Sequence, residues 1–243
     1  MNLVIDIGNT KAKVALFQSD ELVRCTQYEQ LGIEEVLNFV QNDSVNHFIL
    51  SSVKEDDEVL YANLLKIWYG IKLTLNTPMP IDLSYYTDQT LGVDRLALVV
   101  AANKMYPNKA SLVVSCGSCI TYNLIDSSGL FLGGSISPGI YMRLKSMQEF
   151  TGKLPLAEWD GVSCPALLAT STYDSLLSGA INGASFEIDQ VINSHKSTLK
   201  HELNIILSGG DAKFFEKELK NSIFADPNLV LKGLHEILKY NSD

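Results

Sequence analysis

Apolar residues gather in short unbroken runs at the start of the chain, Leu3-Val4-Ile5 and then Val14-Ala15-Leu16-Phe17, with the turn residues Gly8 and Asn9 between them. Runs of this length predict buried strands over 2–7 and 13–17 joined as a hairpin. A charged, Leu-bearing stretch follows over 32–40, and 47–53 predicts a third strand. Leu60, Leu64, Leu65 and Trp68 recur at helical spacing and predict a helix over 58–69. A short strand is expected over 71–75, and the unbroken Leu96 to Ala102 run sits in a helix expected over 92–105.

The same theme then returns. Strands are expected over 111–114 and 120–125 around Gly117, followed by a glycine-rich loop over 133–139 and a helix over 140–150. A long helix over 175–193 carries the small residues Ser178, Gly179, Ala180, Gly183 and Ala184. A strand over 204–207, a helix over 212–220, a strand over 229–231 and a helix over 234–240 complete the chain. Two similar halves of alternating strands and helices predict an α/β protein, with lobes 1–107 and 108–243 divided at Pro107-Asn108.

The 243 residues are 46% hydrophobic and 19% charged, which supplies a sizeable core and leaves no segment that reads as disordered. A net charge of -9 argues against a nucleic-acid binder, whose partner's phosphates demand a basic face. The start lacks the basic region of a signal peptide, and no run approaches the roughly 18 apolar residues of a membrane span, so a cytoplasmic protein is expected. Cys116-Gly117-Ser118-Cys119 has the form of a redox or zinc motif, but neither Cys25 nor Cys164 supplies a second ligand pair by spacing. The alternative is four small apolar fillers. His47, His195, His201 and His235 are scattered and suit solvated or capping roles.

Three expected strands end in a similar way: Asp6-Ile7-Gly8-Asn9-Thr10, Ser115-Cys116-Gly117-Ser118 and Ser208-Gly209-Gly210-Asp211. A glycine turn flanked by hydroxyls and acids presents backbone N–H groups to a phosphate, and three of them predict a nucleotide held between two lobes. Other nucleotide and hydrolase signatures fail. Gly134 to Gly139 has the glycine spacing of a P-loop, but Ile140 stands where the lysine must be. There is no G-x-G-x-x-G, H-E-x-x-H or G-x-S-x-G.

In order and spacing, the first turn, Gly92-Val93-Asp94-Arg95, the second turn and Gly133-Gly134-Ser135-Ile136-Ser137-Pro138-Gly139 resemble type III pantothenate kinase over nearly the whole chain. The resemblance implies the actin-like ATPase (ASKHA) superfamily fold, two ribonuclease-H-like lobes with ATP in the cleft between them, and a homodimer with substrate at its interface. It implies ATP- and Mg²⁺-dependent phosphorylation of pantothenate, the first step of coenzyme A synthesis. Carried onto matching positions, it makes Asp6, Ile7, Gly8, Asn9, Thr10, Lys11, Ala12, Lys13 and Ser118 the ATP contacts. Asp6 also orients Mg²⁺ through water. Tyr85, Gly92, Val93, Asp94, Arg95 and Thr172 become the pantothenate contacts, with Asp94 the general base.

Each assignment has a plainer rival. The Gly8-Asn9 turn suits a simple hairpin. Asp94 suits a helix N-terminus, Tyr85 a packed loop aromatic with Tyr86 as competitor, and Thr172 an N-cap. The 133–139 and 209–211 segments suit backbone shaping near the nucleotide, or plain turn chemistry. One departure stands out: the family's second turn reads Asp-x-Gly-Thr, its Asp binding a monovalent cation (K⁺ or NH₄⁺), whereas here Ser115 and Ser118 hold those places. Ser118 keeps a hydroxyl for ATP, but Ser115 brings no charge, which predicts weak or absent dependence on potassium. Three functions remain open: pantothenate kinase, a non-catalytic regulator on the same fold, and a sugar or acetate kinase. Asp6, Asp94 and Arg95 together favour the first.

Overall fold

The apolar runs at the start of the chain form β1 (Asn2–Ile7) and β2 (Ala12–Gln18), antiparallel neighbours that put Asp6 opposite Lys13 and Ile7 opposite Ala12. The structure is a computed structural model and describes residues 1–54, 57–84, 91–199 and 202–242. The chain divides into two units: Met1–Met105 with Gly129–Phe131 and Asn228–Asp243, and Tyr106–Ser128 with Leu132–Pro227.

In the first unit, β3 (Glu21–Tyr28) extends the hairpin, and β4 (His47–Ser52) and β5 (Tyr69–Lys72) join the other side of β1 in parallel. The strand order is β3-β2-β1-β4-β5. Helices α1 (Ile33–Val40) and α2 (Glu58–Leu65) bury Val36, Phe39, Leu60 and Leu64 against Leu3, Ile5, Val14, Leu16, Phe48 and Leu50. The opposite face is covered by α3 (Val93–Met105) and α7 (Leu229–Tyr240). A sheet covered on both faces reads as continuous apolar runs rather than as alternation, and that is how β1 and β2 read. The short β6 (Asp82–Leu83) pairs with Leu130 and Phe131 at the start of β9 (Leu130–Pro138).

The second unit repeats the plan. β7 (Ala110–Cys116) and β8 (Cys119–Ile125) form a hairpin, β9 follows, and β10 (Leu203–Ser208) and β11 (Phe224–Ala225) lie parallel on the other side of β7. The order β9-β8-β7-β10-β11 repeats that of the first sheet, with β6 added beyond β9 as a sixth strand. α4 (Ile140–Glu149), α5 (Thr172–Thr198) and α6 (Ala212–Glu218) bury Ile140, Leu144, Ile181, Ile188 and Phe215 on the face carrying Leu112, Val114 and Cys116.

Three expectations change. Residues 229–231 open α7 instead of forming a strand, because Leu231, Leu234 and Leu238 line one side of a helix in which Leu229, Val230 and Ile237 are buried as well. The 133–139 glycines belong largely to β9 and not to a loop: a Cβ on Gly134 would stand 1.7 Å from the Tyr122 carbonyl oxygen, so glycine here permits close approach of strands. Asn228–Asp243 packs with the first unit, not with the 108–243 half, because α7 seals the face that β1 and β4 share with α3. The junction itself falls between Met105 and Tyr106, beside the expected 107/108 boundary.

Candidate active site

Alternation along β1 decides where its side chains go. Leu3, Ile5 and Ile7 turn towards α1 and α2, which leaves Asn2, Val4 and Asp6 on the side of α3 and α7. Asn2 accordingly meets His235 of α7, Nδ2 to Nε2 at 3.3 Å. Asp6 stands near the start of α3, close enough to Asp94 for that carboxylate to raise its pKa. Burial is the larger cause, and together they push Asp6 up to about 6; Lys13, opposite on β2, and Ser51, its register partner on β4, pull the other way. Ser51 Oγ is buried with no hydrogen-bond partner at normal distance, so its help is weak.

The turn beyond Asp6 is closed by the Gly8 N–H donating to the Lys11 carbonyl at 3.1 Å. Asn9, Thr10 and Lys11 are exposed at its tip, while Ile7 and Ala12 are buried at its root. Only the backbones of Ile7 and Ala12 are left for a ligand, since their side chains belong to the core.

Gly92 precedes α3, and a Cβ there would stand 2.5 Å from Asp94 Oδ1; glycine leaves the room that this carboxylate uses. Burial raises the Asp94 pKa, and the Arg95 backbone N–H and then the Arg95 charge act against it. Arg95 is only 5% exposed, its guanidinium 5.8 Å from the Phe131 ring centre. The start of α3 is held by α7, whose Gly233 is pressed so closely on Ala97 that a Cβ would stand 1.7 Å from its carbonyl oxygen. Tyr85 and its rival Tyr86 lie outside the described residues.

In the second unit β7 takes the part of β1, so Ser115 takes the part of Asp6 and Ser208, its parallel partner, that of Ser51. Ser118 is exposed at the tip of the β7–β8 turn, where the Gly117 N–H donates to the Cys119 carbonyl at 3.0 Å. Gly139 donates to the Ser118 carbonyl at 3.0 Å. The third turn lies against the second: Gly209, at φ +92°, abuts the Cys116 carbonyl, which accepts the Asp211 N–H at 3.1 Å. Burial pushes the Asp211 carboxyl up to about 6. Thr172 opens α5 and is exposed, but the cap is Ser171, whose hydroxyl accepts the Asp174 N–H at 3.1 Å; the N-cap reading of Thr172 is corrected.

Cys116 is buried in the core of its unit, and burial, then Asp211, push its thiol pKa well up, the reverse of what a reactive thiolate needs. His235 is neither solvated nor a cap: it is 2% exposed, with its ring stacked 4.3 Å from that of Phe17. Asp20, His235 and Glu236 bring potential metal ligands within 4.8 Å of one another, but the Lys239 ammonium pairs with both carboxylates.

The first unit therefore gathers Asp6, Asp94, Lys13 and Arg95, two carboxylates with raised pKa values and two cations. A divalent cation suits this donor set, because it would relieve the cost of charging Asp6 near Asp94. Motif reading missed Ser51 and Phe131, which carry no signature of their own. It could have found Ser51 by register, once His47 to Val53 was read as the parallel neighbour of β1.

Comparison with solved structures identifies the fold. A chain from Campylobacter jejuni described as a Baf family transcriptional activator superposes with a TM-score of 0.64 at 24% identity, over 98% of both chains. The inorganic polyphosphate/ATP-glucomannokinase of an Arthrobacter strain does so with 0.53 at 13%, over 97% of both. The fold is that of the actin-like ATPase superfamily. A family model described as type III pantothenate kinase matches residues 2–194. A relative of that name from Bacteroides fragilis is 41% identical over 100% of this chain and 99% of its own. The chain belongs to the type III pantothenate kinase family.

Proposed function

We propose that this protein is an enzyme that transfers the γ-phosphoryl group of ATP to the primary hydroxyl of pantothenate, giving 4'-phosphopantothenate in the first step of coenzyme A synthesis. The observation that carries the reading is the meeting of Asp6 and Asp94 on one face of the first sheet, in a chain whose relatives at 34 to 41% identity bear the pantothenate kinase name. Asp94 accepts the hydroxyl proton; its raised pKa brings it nearer the value that suits a general base at neutral pH. Arg95 holds the substrate's carboxylate, and its burial makes that charge pairing stronger than it would be in water. Gly92, Val93, Thr172 and Tyr85 complete the substrate contacts.

The Asp6 to Lys13 segment and Ser118 hold the ATP phosphates, with Lys13 adding a positive charge. Magnesium, held through water by Asp6, supplies neutralisation of the phosphate oxygens. Ser115 gives a monovalent cation only a hydroxyl, so potassium or ammonium is not required.

A homodimer is supported by exposed apolar side chains in the second unit. Leu168 is 87%, Leu167 69% and Phe186 54% exposed, around a groove of about 420 Å³ that also includes Gly179 and Gly183 of α5. Among the described residues no helix is long and apolar enough to cross a membrane, and all four cysteines are free, which suits the reducing cytoplasm.

The test is an ADP-release assay on the purified protein with ATP, Mg²⁺ and a panel of pantothenate, sugars and acetate. ADP formed with pantothenate alone supports the assignment. Turnover of a sugar or acetate in its place, or silence toward the whole panel, overturns it.

A further inference from the structure

The carboxylate of Glu187, on α5, ties three other elements together. It accepts hydrogen bonds from Tyr122 Oη of β8 at 2.8 Å, from Ser137 Oγ of β9 and from Arg143 Nη2 of α4. Burial alone would raise its pKa, but the bonds from Ser137, Arg143 and Tyr122 hold it below the usual range, so it stays charged. Arg143 uses its remaining reach on the backbone, with Nε donating to the Pro138 carbonyl at 2.8 Å.

The far end of this segment touches the second turn. Gly139 donates to the Ser118 carbonyl, and its Cα is so close that a Cβ would stand 2.0 Å from the Gly117 carbonyl oxygen. Residues 137–139 thus run from the Glu187 carboxylate to the Ser118 turn with no free residue between. A partly buried ion pair with a neutral residue on either side is weak as a source of stability, since apolar side chains of similar size do as well. What it supplies is a fixed geometry.

We infer that Glu187 is a positioning residue: through Ser137 and Arg143 it fixes the Pro138-Gly139 backbone against the Gly117-Ser118 turn and so sets the turn that receives ATP. This rests on the reading of Ser118 as an ATP contact. Glu187 itself touches no substrate in this scheme, and its effect is confined to nucleotide binding.

Steady-state kinetics with each substrate varied, on Glu187→Gln, Arg143→Gln, their double variant and Ser118→Ala, test it alongside melting curves. Glu187→Gln is expected to raise KM for ATP about tenfold with KM for pantothenate nearly unchanged, and to lower the melting temperature by a few degrees as Arg143 loses its partner. Arg143→Gln should act alike, and the double variant should be no worse than either single one, because both cut one path. Should Glu187→Gln fail to fold, Arg143→Lys keeps the charge but loses the bond to Pro138, and the same rise is expected of it. An unchanged KM for ATP in the Glu187 and Arg143 variants, with Ser118→Ala raising it, overturns the positioning role alone. An unchanged value in Ser118→Ala overturns the ATP contact and the positioning role with it. A uniform loss in every constant together with a lowered melting temperature reduces Glu187 to a structural residue and also overturns the inference.

Discussion

The Asp94 carboxylate at the start of α3 raises the pKa of Asp6 at the end of β1, although the two belong to different elements far apart in sequence. The relationship follows from strand parity. Asp6 shares a face with Asn2 and Val4, and that face is the one on which α3 and α7 pack. A protein gains no stability from two carboxylates placed so, and the proposed phosphoryl-transfer site gives the cost a use.

The pH dependence of stability carries the sign of this cost. A carboxyl whose folded-state pKa is about 6, above its unfolded 3.8, favours the fold while protonated; that contribution is present below pH 4 and lost as pH rises through about 6. Asp6→Asn should therefore stabilise the protein at pH 7 to 8 by on the order of 1 to 3 kcal/mol, with the gain shrinking towards pH 4. Turnover should be lost at the same time. A variant no more stable than the natural protein at pH 8, by thermal melting, would contradict the burial ascribed to this carboxylate.

Asp94→Asn keeps the shape of the side chain and removes the carboxylate proposed as the base. Turnover should fall by a factor on the order of 10² or more, while the circular dichroism spectrum and ATP affinity are retained. Near-normal turnover would sink the assignment.

Gly117 and Gly139 meet at the second turn, but substitution should separate them. Open space surrounds Gly117, whereas a Cβ on Gly139 would stand 2.0 Å from the Gly117 carbonyl oxygen. Gly139→Ala should lower the melting temperature by several degrees and weaken ATP binding, as overpacking of this kind costs about 1–3 kcal/mol. Gly117→Ala should be milder on stability. Equal effects would show that backbone contact at Gly139 is not what holds the turn.

Potassium is expected to matter little. Ser115 occupies the place in β7 that Asp6 occupies in β1 and brings a neutral hydroxyl beside that of Ser208. Replacing sodium by potassium should change the rate less than twofold, and Ser115→Asp should introduce a dependence. Strong activation of the natural protein by potassium would count against this account of the second turn.

How much of this was legible beforehand varied with the physics of each segment. The strand–turn–strand openings at residues 2–17 and 111–125 were plain, because buried strands concentrate apolar residues and end in turn residues. The Gly133 to Pro138 strand was hidden, since its glycines serve close packing on Tyr122 and mimic a loop. Leu229 to Leu231 misled because three apolar residues in a row fit a buried strand and a buried helix equally. Gly92-Val93-Asp94-Arg95 is legible as a motif, but the nearness of Asp94 to Asp6 and the packing of Gly233 on Ala97 are tertiary contacts that no local pattern reveals. Glu187 was invisible for the same reason: its partners come from three separate elements.

The most direct measurement is the identity of the phosphorylated product, by mass spectrometry with fragmentation, after incubation of the natural protein with ATP, Mg²⁺ and pantothenate. The account predicts one added phosphoryl group on the primary hydroxyl of pantothenate, formed with one ADP, and no such product from Asp94→Asn over the same time. ADP released without phosphorylated pantothenate, or a phosphoryl group elsewhere on the molecule, would contradict it.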